Sequence, residues 1–353
     1  MSAVIAPLSF HSRDLYEALQ EVKSPKTLLL DTFFKSKKQH TSDIIDFDKR
    51  VETRRLARLG NPHNAATPVV PYGFTANSFK TLYISLMTSY SAADFLNRGY
   101  GEVTYSGVTP NARINAQVVL DMAEMRNQCI RREEWMAFKL LSGGTYTVTG
   151  DGVNATVTCN DANWLSTHVT AVTAWTGAAT TPLDDIDTMG RQVFKDSGLV
   201  ADTIVMSSRA WTRFYNNPQV AKIFDTRAFN WGSLNSSLEM PAGARYHGNM
   251  MGYDLWEYNE YFLDSDSGYP AVGSETDLMT AGMVIVGSSK LRGTRHYGPI
   301  QDIESDGNAV SIADPYFVKS WIDRNPAVRQ VQLQSAPLVL LEQFNGVGVL
   351  TGA

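Results

Sequence analysis

The chain has 353 residues, 43% hydrophobic and 19% charged, a balance that fits a folded protein with room for two domains and excludes wholesale disorder. A formal net charge of −5 is too mild to announce nucleic acid as a specific partner, and two cysteines, Cys129 and Cys159, give neither a disulfide framework nor a metal-type pair. No run of about eighteen apolar residues occurs, and Arg13, Asp14, Glu17, Glu21 and Lys23 interrupt the first thirty positions, so neither a membrane span nor a signal peptide is expected. Folding in a reducing cytoplasm follows.

The first forty residues read as an arm. Leu15, Ala18, Leu19 and Val22 fall at helical spacing within Ser12–Val22, and Pro25 then precedes an apolar patch, Leu28-Leu29-Leu30 with Phe33-Phe34. The arm cannot build a core of its own, so Leu28, Phe33 and Phe34 must bury against this chain or a neighbour. Residues 43–86 read as a two-stranded ribbon, opened by Asp43–Asp48 and closed by the alternation in Lys80–Leu86. Its turn is rich in Gly, Pro and Asn and carries Lys49, Arg50, Arg54, Arg55 and Arg58. An isolated ribbon is marginal in water, which predicts that it lies on a partner. The charge split agrees: residues 1–58 hold eleven Lys/Arg against eight Asp/Glu, the remainder twenty against twenty-eight.

A long helix is expected from Asn111 to Leu141, with Pro110 at its mouth and Gly143-Gly144 at its end. Ile114, Val118, Met122, Met125, Cys129, Met136 and Leu140 form the packed face, while Arg113, Asp121, Glu124, Arg131 and Glu134 are assigned to the wet one. A hairpin follows at 145–159, then a loop-like stretch over 160–182 rich in Thr, Ala and Asn. Asp184-Asp185 opens a helix over Ile186–Ser197 that stops at Gly198. Beyond 199 the pattern alternates: a strand at Thr203–Met206, helices at Ser208–Phe214 and Asn216–Phe224, and strands at Met251–Tyr261 and Ala281–Val286. The tail gives two or three strands between Phe317 and Leu341, with Pro326 and Pro337 confining them to edges or bends.

Candidate chemistry is sparse. The six histidines are scattered, no His-Glu-x-x-His, Cys-x-x-Cys or calcium loop occurs, and no Gly-x-Ser-x-Gly elbow is present. Gly346–Gly352 misses a dinucleotide motif by one residue and reads as a flexible tail. Asp184, Asp185 and Asp187 fit a helix start better than a carboxylate site. Asp46, Asp48 and Glu52 interleave with the basic run 49–58, which favours protein–protein ion pairing over phosphate binding.

Leu291–Asp302 (LRGTRHYGPIQD), Asp323–Ala327 (DRNPA) and Gln334–Leu341 (QSAPLVLL) together resemble the lambda-like major capsid protein family of tailed bacteriophages. The likeness extends upstream through the long helix, Tyr146–Gly150, Asp225–Arg227 and Gly248–Gly252. It implies an α+β fold of the Hong Kong 97 type: an N-terminal arm (1–42), an extended E-loop (43–86), and a P-domain (87–200) with a spine helix at 111–141. An A-domain (201–316) and P-domain return strands with a tail (317–353) complete it. The order arm, ribbon, rod and lobe, read from the residues alone, agrees with that plan. The resemblance further implies hexamers and pentamers in an icosahedral virion shell assembled in the host bacterial cytoplasm. Scaffolding, portal and decoration proteins are implied as partners, with packaged double-stranded DNA held nonspecifically. No cofactor, metal or catalytic residue is implied. Lys49, Arg50, Arg54, Arg55, Arg58, Leu28, Phe33 and Phe34 are the expected assembly residues.

Three alternatives stand beside this reading. An encapsulin-like compartment would usually lack the C-terminal stretches, and a tail-tube protein would lack the long amphipathic helix. A hydrolase on the α+β lobe would need a nucleophile and base that no sequence feature supplies.

Overall fold

In the computed structural model, a mixed six-stranded sheet separates two hydrophobic cores. The described residues are 12–22, 25–50, 56–57, 59, 74–91, 93–94, 110–150, 153–161, 164–177, 179–226, 243–263, 275–303 and 309–353. The strands run in the order Val169–Ala171, Val347–Thr351, Val284–Gly287, Thr203–Met206, Tyr253–Tyr258, Ala244–Met250. Alternation along the inner strands explains the two cores. Ile204 and Met206 face one and Val205 the other; Val284 and Val286 oppose Ile285; Leu350 opposes Val347 and Val349. Helix Pro182–Ser197 covers one face through Ile186, Met189 and Val193. Gly198, at φ 79, ends that helix in the left-handed region, and its N–H bonds the Phe194 carbonyl at 3.0 Å.

The opposite face looks toward the long helix, Pro110–Gly143, whose 34 residues make a rod of about 50 Å. Val118, Met122, Met125 and Cys129 of this helix share a third core with Leu15 and Leu19 of helix Ser12–Glu21 and with Val318, Val331 and Leu333. Further along, Met136, Phe138, Leu140 and Leu141 join the large core beneath the lobe. The expected packed face is therefore observed. Cys129 and Cys159 are both buried, and neither forms a disulfide.

Several expectations are corrected. The stretch Gly346–Gly352 is no tail: Val347–Thr351 is an inner strand, buried along most of its length. Gly348 marks close packing, since a Cβ there would lie 2.2 Å from the Met189 sulfur. The stretch 160–182 carries a short helix, Trp164–His168, and the edge strand Val169–Ala171. Consequently the lobe's sheet and its covering helix draw on residues outside 201–316. The strand expected from Met251 begins instead at Tyr253, because Met251 and Gly252, at φ 54 and 88, form the hairpin turn.

The ribbon is also shorter than read. Ile44–Arg50 pairs antiparallel with Phe74–Lys80, from Ile44 opposite Lys80 to Arg50 opposite Phe74, and Ile45, Phe47 and Phe79 pack at its base. Ile84–Ser91 leaves it and becomes an edge of a sheet with Ala327–Ser335 and Phe317–Arg324. The alternation Leu82, Ile84, Leu86 belongs mainly to that sheet, with Ile84 and Leu86 lying against the third core.

Candidate assembly site

The arm meets the long helix at two charged side chains that its surface pattern hides. Arg126 is 4% exposed, and its guanidinium donates to the carbonyls of Leu19 at 2.7 Å and Val22 at 2.8 Å, at the end of helix Ser12–Glu21. Two turns on, Glu134 is 3% exposed and accepts the N–H groups of Leu29 at 2.9 Å and Leu30 at 3.1 Å, in the first turn of helix Leu28–Phe33. The Thr27 side chain makes no cap bond, and Asp31 of the helix accepts the Thr27 N–H at 3.1 Å, which leaves the N–H groups of Leu29 and Leu30 to Glu134. One rod thus places a cation on the carbonyl end of one arm helix and an anion on the amide end of the next, the polarity that helix dipoles favour. Between the two clamps the arm must break, and Pro25 lies there.

Glu134 also accepts the hydroxyl of Tyr258 at 2.9 Å, tying the lobe's sheet to the arm. Its neighbour Glu133, 1% exposed, accepts from Tyr297 at 2.9 Å and Tyr316 at 3.4 Å. Burial pushes both carboxyls up, Glu134 to about 7; the hydrogen bonds oppose this, as do the nearby Arg295 and Lys37 charges at Glu133.

The C-terminal stretches meet at the same place. Gly293–Tyr297 pairs antiparallel with Pro337–Leu341, and the arm strand Ser36–Gln39 adds in parallel on its other side. Arg295 lies 4.0 Å from Asp31 of the arm, and Tyr297 reaches Glu133. His40 and His296 stack across this joint with ring nitrogens 2.8 Å apart. The two sequence stretches that look most distinctive are therefore the seat of the arm.

A profile of the family described as phage major capsid protein E matches residues 11–348. The chain belongs to that family. It is 23% identical over 319 residues to the major capsid protein of Escherichia phage lambda, covering 89% of this chain and 90% of that one. With the major capsid protein of Escherichia phage N15 it shares 24% over 212 residues, 59% of this chain and 60% of the other. Among solved structures, a protein described as a capsid protein of a prophage of E. coli CFT073 superposes with a TM-score of 0.73 at 17% identity, covering 97% and 99% of the two chains. The capsid structure of cyanophage P-SCSP1u matches at a TM-score of 0.52 and 10% identity, over 94% and 90%. The fold is accordingly α+β of the Hong Kong 97 capsid type, and the family role is structural, as a capsid subunit.

Within this family fold the expected assembly residues separate into two groups. Leu28, Phe33 and Phe34 are 2%, 0% and 0% exposed within a single chain, so they are core residues of the chain itself. Lys49 and Arg50 stand on the ribbon strand Ile44–Arg50; Arg54, Arg55 and Arg58 lie outside the described residues. Asp184, Asp185 and Asp187 are bound to Gln219, Trp175 and Arg191 respectively, as suits a helix start. Among the described residues, no group of three His, Cys, Asp or Glu is placed to hold a metal ion, and no helix is long and apolar enough to cross a membrane.

Glu134 was assigned to the wet face and is buried, a correction with a legible cause. The apolar stripe steps seven residues from Cys129 to Met136, and the position it skips is Glu133. Arg126 likewise follows Met122 by four, on the packed side. A charge in an apolar register was the available signal for a buried polar contact.

Proposed function

We propose that this chain is the subunit of the icosahedral head of a tailed bacteriophage, built as hexamers and pentamers around double-stranded DNA that it holds nonspecifically. The observation that carries this reading is the family match across nearly the whole chain, joined to a 34-residue helix, a docked arm and a two-stranded ribbon. The ribbon lies on an adjacent subunit, and its basic residues Lys49, Arg50, Arg54, Arg55 and Arg58 meet acidic groups there. Assembly takes place in the host cytoplasm with a scaffolding protein and a portal, and a decoration protein coats the finished shell. Size-exclusion chromatography with negative-stain imaging of particles from expressing cells tests this. Closed shells are expected; tubes or small discrete oligomers would refute it.

A further inference from the structure

Two leucines of this subunit stand almost wholly in water. Leu56 is 98% exposed and Leu59 96%, three residues apart in the segment between the ribbon strands Ile44–Arg50 and Phe74–Lys80. Arg54, Arg55 and Arg58 surround them in the sequence. A single exposed aliphatic side chain is ordinary, but two this close and this bare have their burial still to gain. Leu56 lies nine residues beyond Phe47, which is buried at the ribbon's base, so its reach from that base extends to about 30 Å.

A receptor of matching size lies where arm, long helix and lobe meet. A cavity of about 100 Å³ there is lined by Lys26 of the arm, Ile130 and Arg131 of the long helix, and Tyr258, Tyr261 and Leu278 of the lobe. Ile130, Tyr258 and Leu278 are buried and form an apolar floor, while Tyr261 is half-exposed. Cavities of about 150 Å³ accept benzene, so this one has room for a single aliphatic side chain. The buried Oδ1 of Asn127, also on its wall, meets no hydrogen-bond donor among the described residues. A guanidinium brought in beside a leucine supplies that donor.

The charges around the cavity complement the ribbon's. Glu260 lines it, Asp277 pairs across from Tyr261, and Glu124 holds Arg131 at 3.0 Å. Against these three carboxylates stand two cations, Lys26 and Arg131, the second already engaged by Glu124. A segment with three arginines and two leucines suits such a rim and floor together.

We propose that the Leu56 and Leu59 pair of an adjacent copy docks at this cavity. One leucine fills it, the other lies on Tyr261, and Arg54, Arg55 and Arg58 meet Glu124, Glu260 and Asp277 around the mouth. The inference rests on the shell-subunit reading and specifies what the ribbon of one subunit touches on the next. Because the lining comes from three elements at once, the ribbon binds only a neighbour whose arm and lobe are already seated on the long helix.

Cross-linking of assembled particles tests this. Leu56→Cys with Tyr261→Cys, and Leu59→Cys with Tyr261→Cys, are each treated with a short bismaleimide and run on denaturing gels. Cys129 and Cys159 are buried and should not react. In at least one pair most of the chain should leave the monomer band for a ladder of covalent multimers, and each single-cysteine variant should give none. Should neither pair assemble, benzoylphenylalanine in place of Leu59 is carried into shells by an excess of the unmodified chain. On illumination it should cross-link to peptides that hold Ile130, Tyr261 or Leu278 of a second copy, as read by mass spectrometry. Shells without a ladder from either pair, or photo-capture at other segments, would overturn the docking and leave the shell-subunit reading intact. Absence of shells from the unmodified chain would remove both.

Discussion

Met125 and Arg113 sit on one helix three turns apart and should respond very differently to substitution. Met125 is 5% exposed in the core shared by the arm helix and the C-terminal hairpin, so Met125→Asp places an unpaired charge among apolar side chains at a cost of several kcal/mol. Insoluble protein is the expected result, whereas Arg113→Ala, on the half-exposed side, should leave solubility and melting temperature nearly unchanged; soluble, normally melting Met125→Asp would contradict the packed face. Arg126 presents the opposite problem, a charge that belongs where it is buried. Arg126→Met keeps the length and apolar stem but leaves the Leu19 and Val22 carbonyls without their donor, costing about 1–3 kcal/mol. The loss should be local: limited proteolysis should clip the arm ahead of Leu28 faster than in the wild type, with the rest of the chain resistant. Equal clipping rates would mean that the apolar contacts of Leu15 and Leu19 hold that helix unaided.

At the scale of elements, the parts with a strong period were legible and those defined by long-range pairing were not. The helix at 110–143 announces itself through Pro110, a sustained stripe and Gly143-Gly144, all local signals. The hairpin at 145–158 and the helix ending at Gly198 are of the same kind. Val347–Thr351 was missed because three glycines in Gly346–Gly352 look like freedom; only the tertiary structure shows Met189 pressed against Gly348. The ribbon's end was misplaced because Leu82, Ile84 and Leu86 alternate correctly for a strand but cannot say which partner they pair with. Ala327–Ser335, some 240 residues later, decides that. The arm clamp was half legible. Leu28, Phe33 and Phe34 had to bury somewhere, and the sequence left open whether in this chain or the next; Arg126, Glu133 and Glu134 show why it is this one, since their partners are the arm's own backbone and the sheet it docks on.

At the scale of the whole molecule, we propose that the ribbon joins subunits, since Leu28, Phe33 and Phe34 of the arm are already buried within the chain. Its basic run contrasts with a remainder that is net acidic, the arrangement expected if it lies across an adjacent copy. Reversing Arg54, Arg55 and Arg58 together to Glu should leave the melting temperature near wild type and sharply lower the yield of particles. Exposed pairs are worth up to about 1 kcal/mol each, so a single reversal should show little, while many symmetry-related copies multiply the triple change. Normal particle yield from the triple variant would remove the basic run from assembly. The most direct measurement is a cryo-EM reconstruction of the particles formed by the unmodified chain. Closed icosahedral shells are predicted, with pentamers and hexamers and with density for strands Ile44–Arg50 and Phe74–Lys80 crossing onto the neighbouring subunit. Helical tubes, or shells in which each ribbon folds back onto its own subunit, would contradict it.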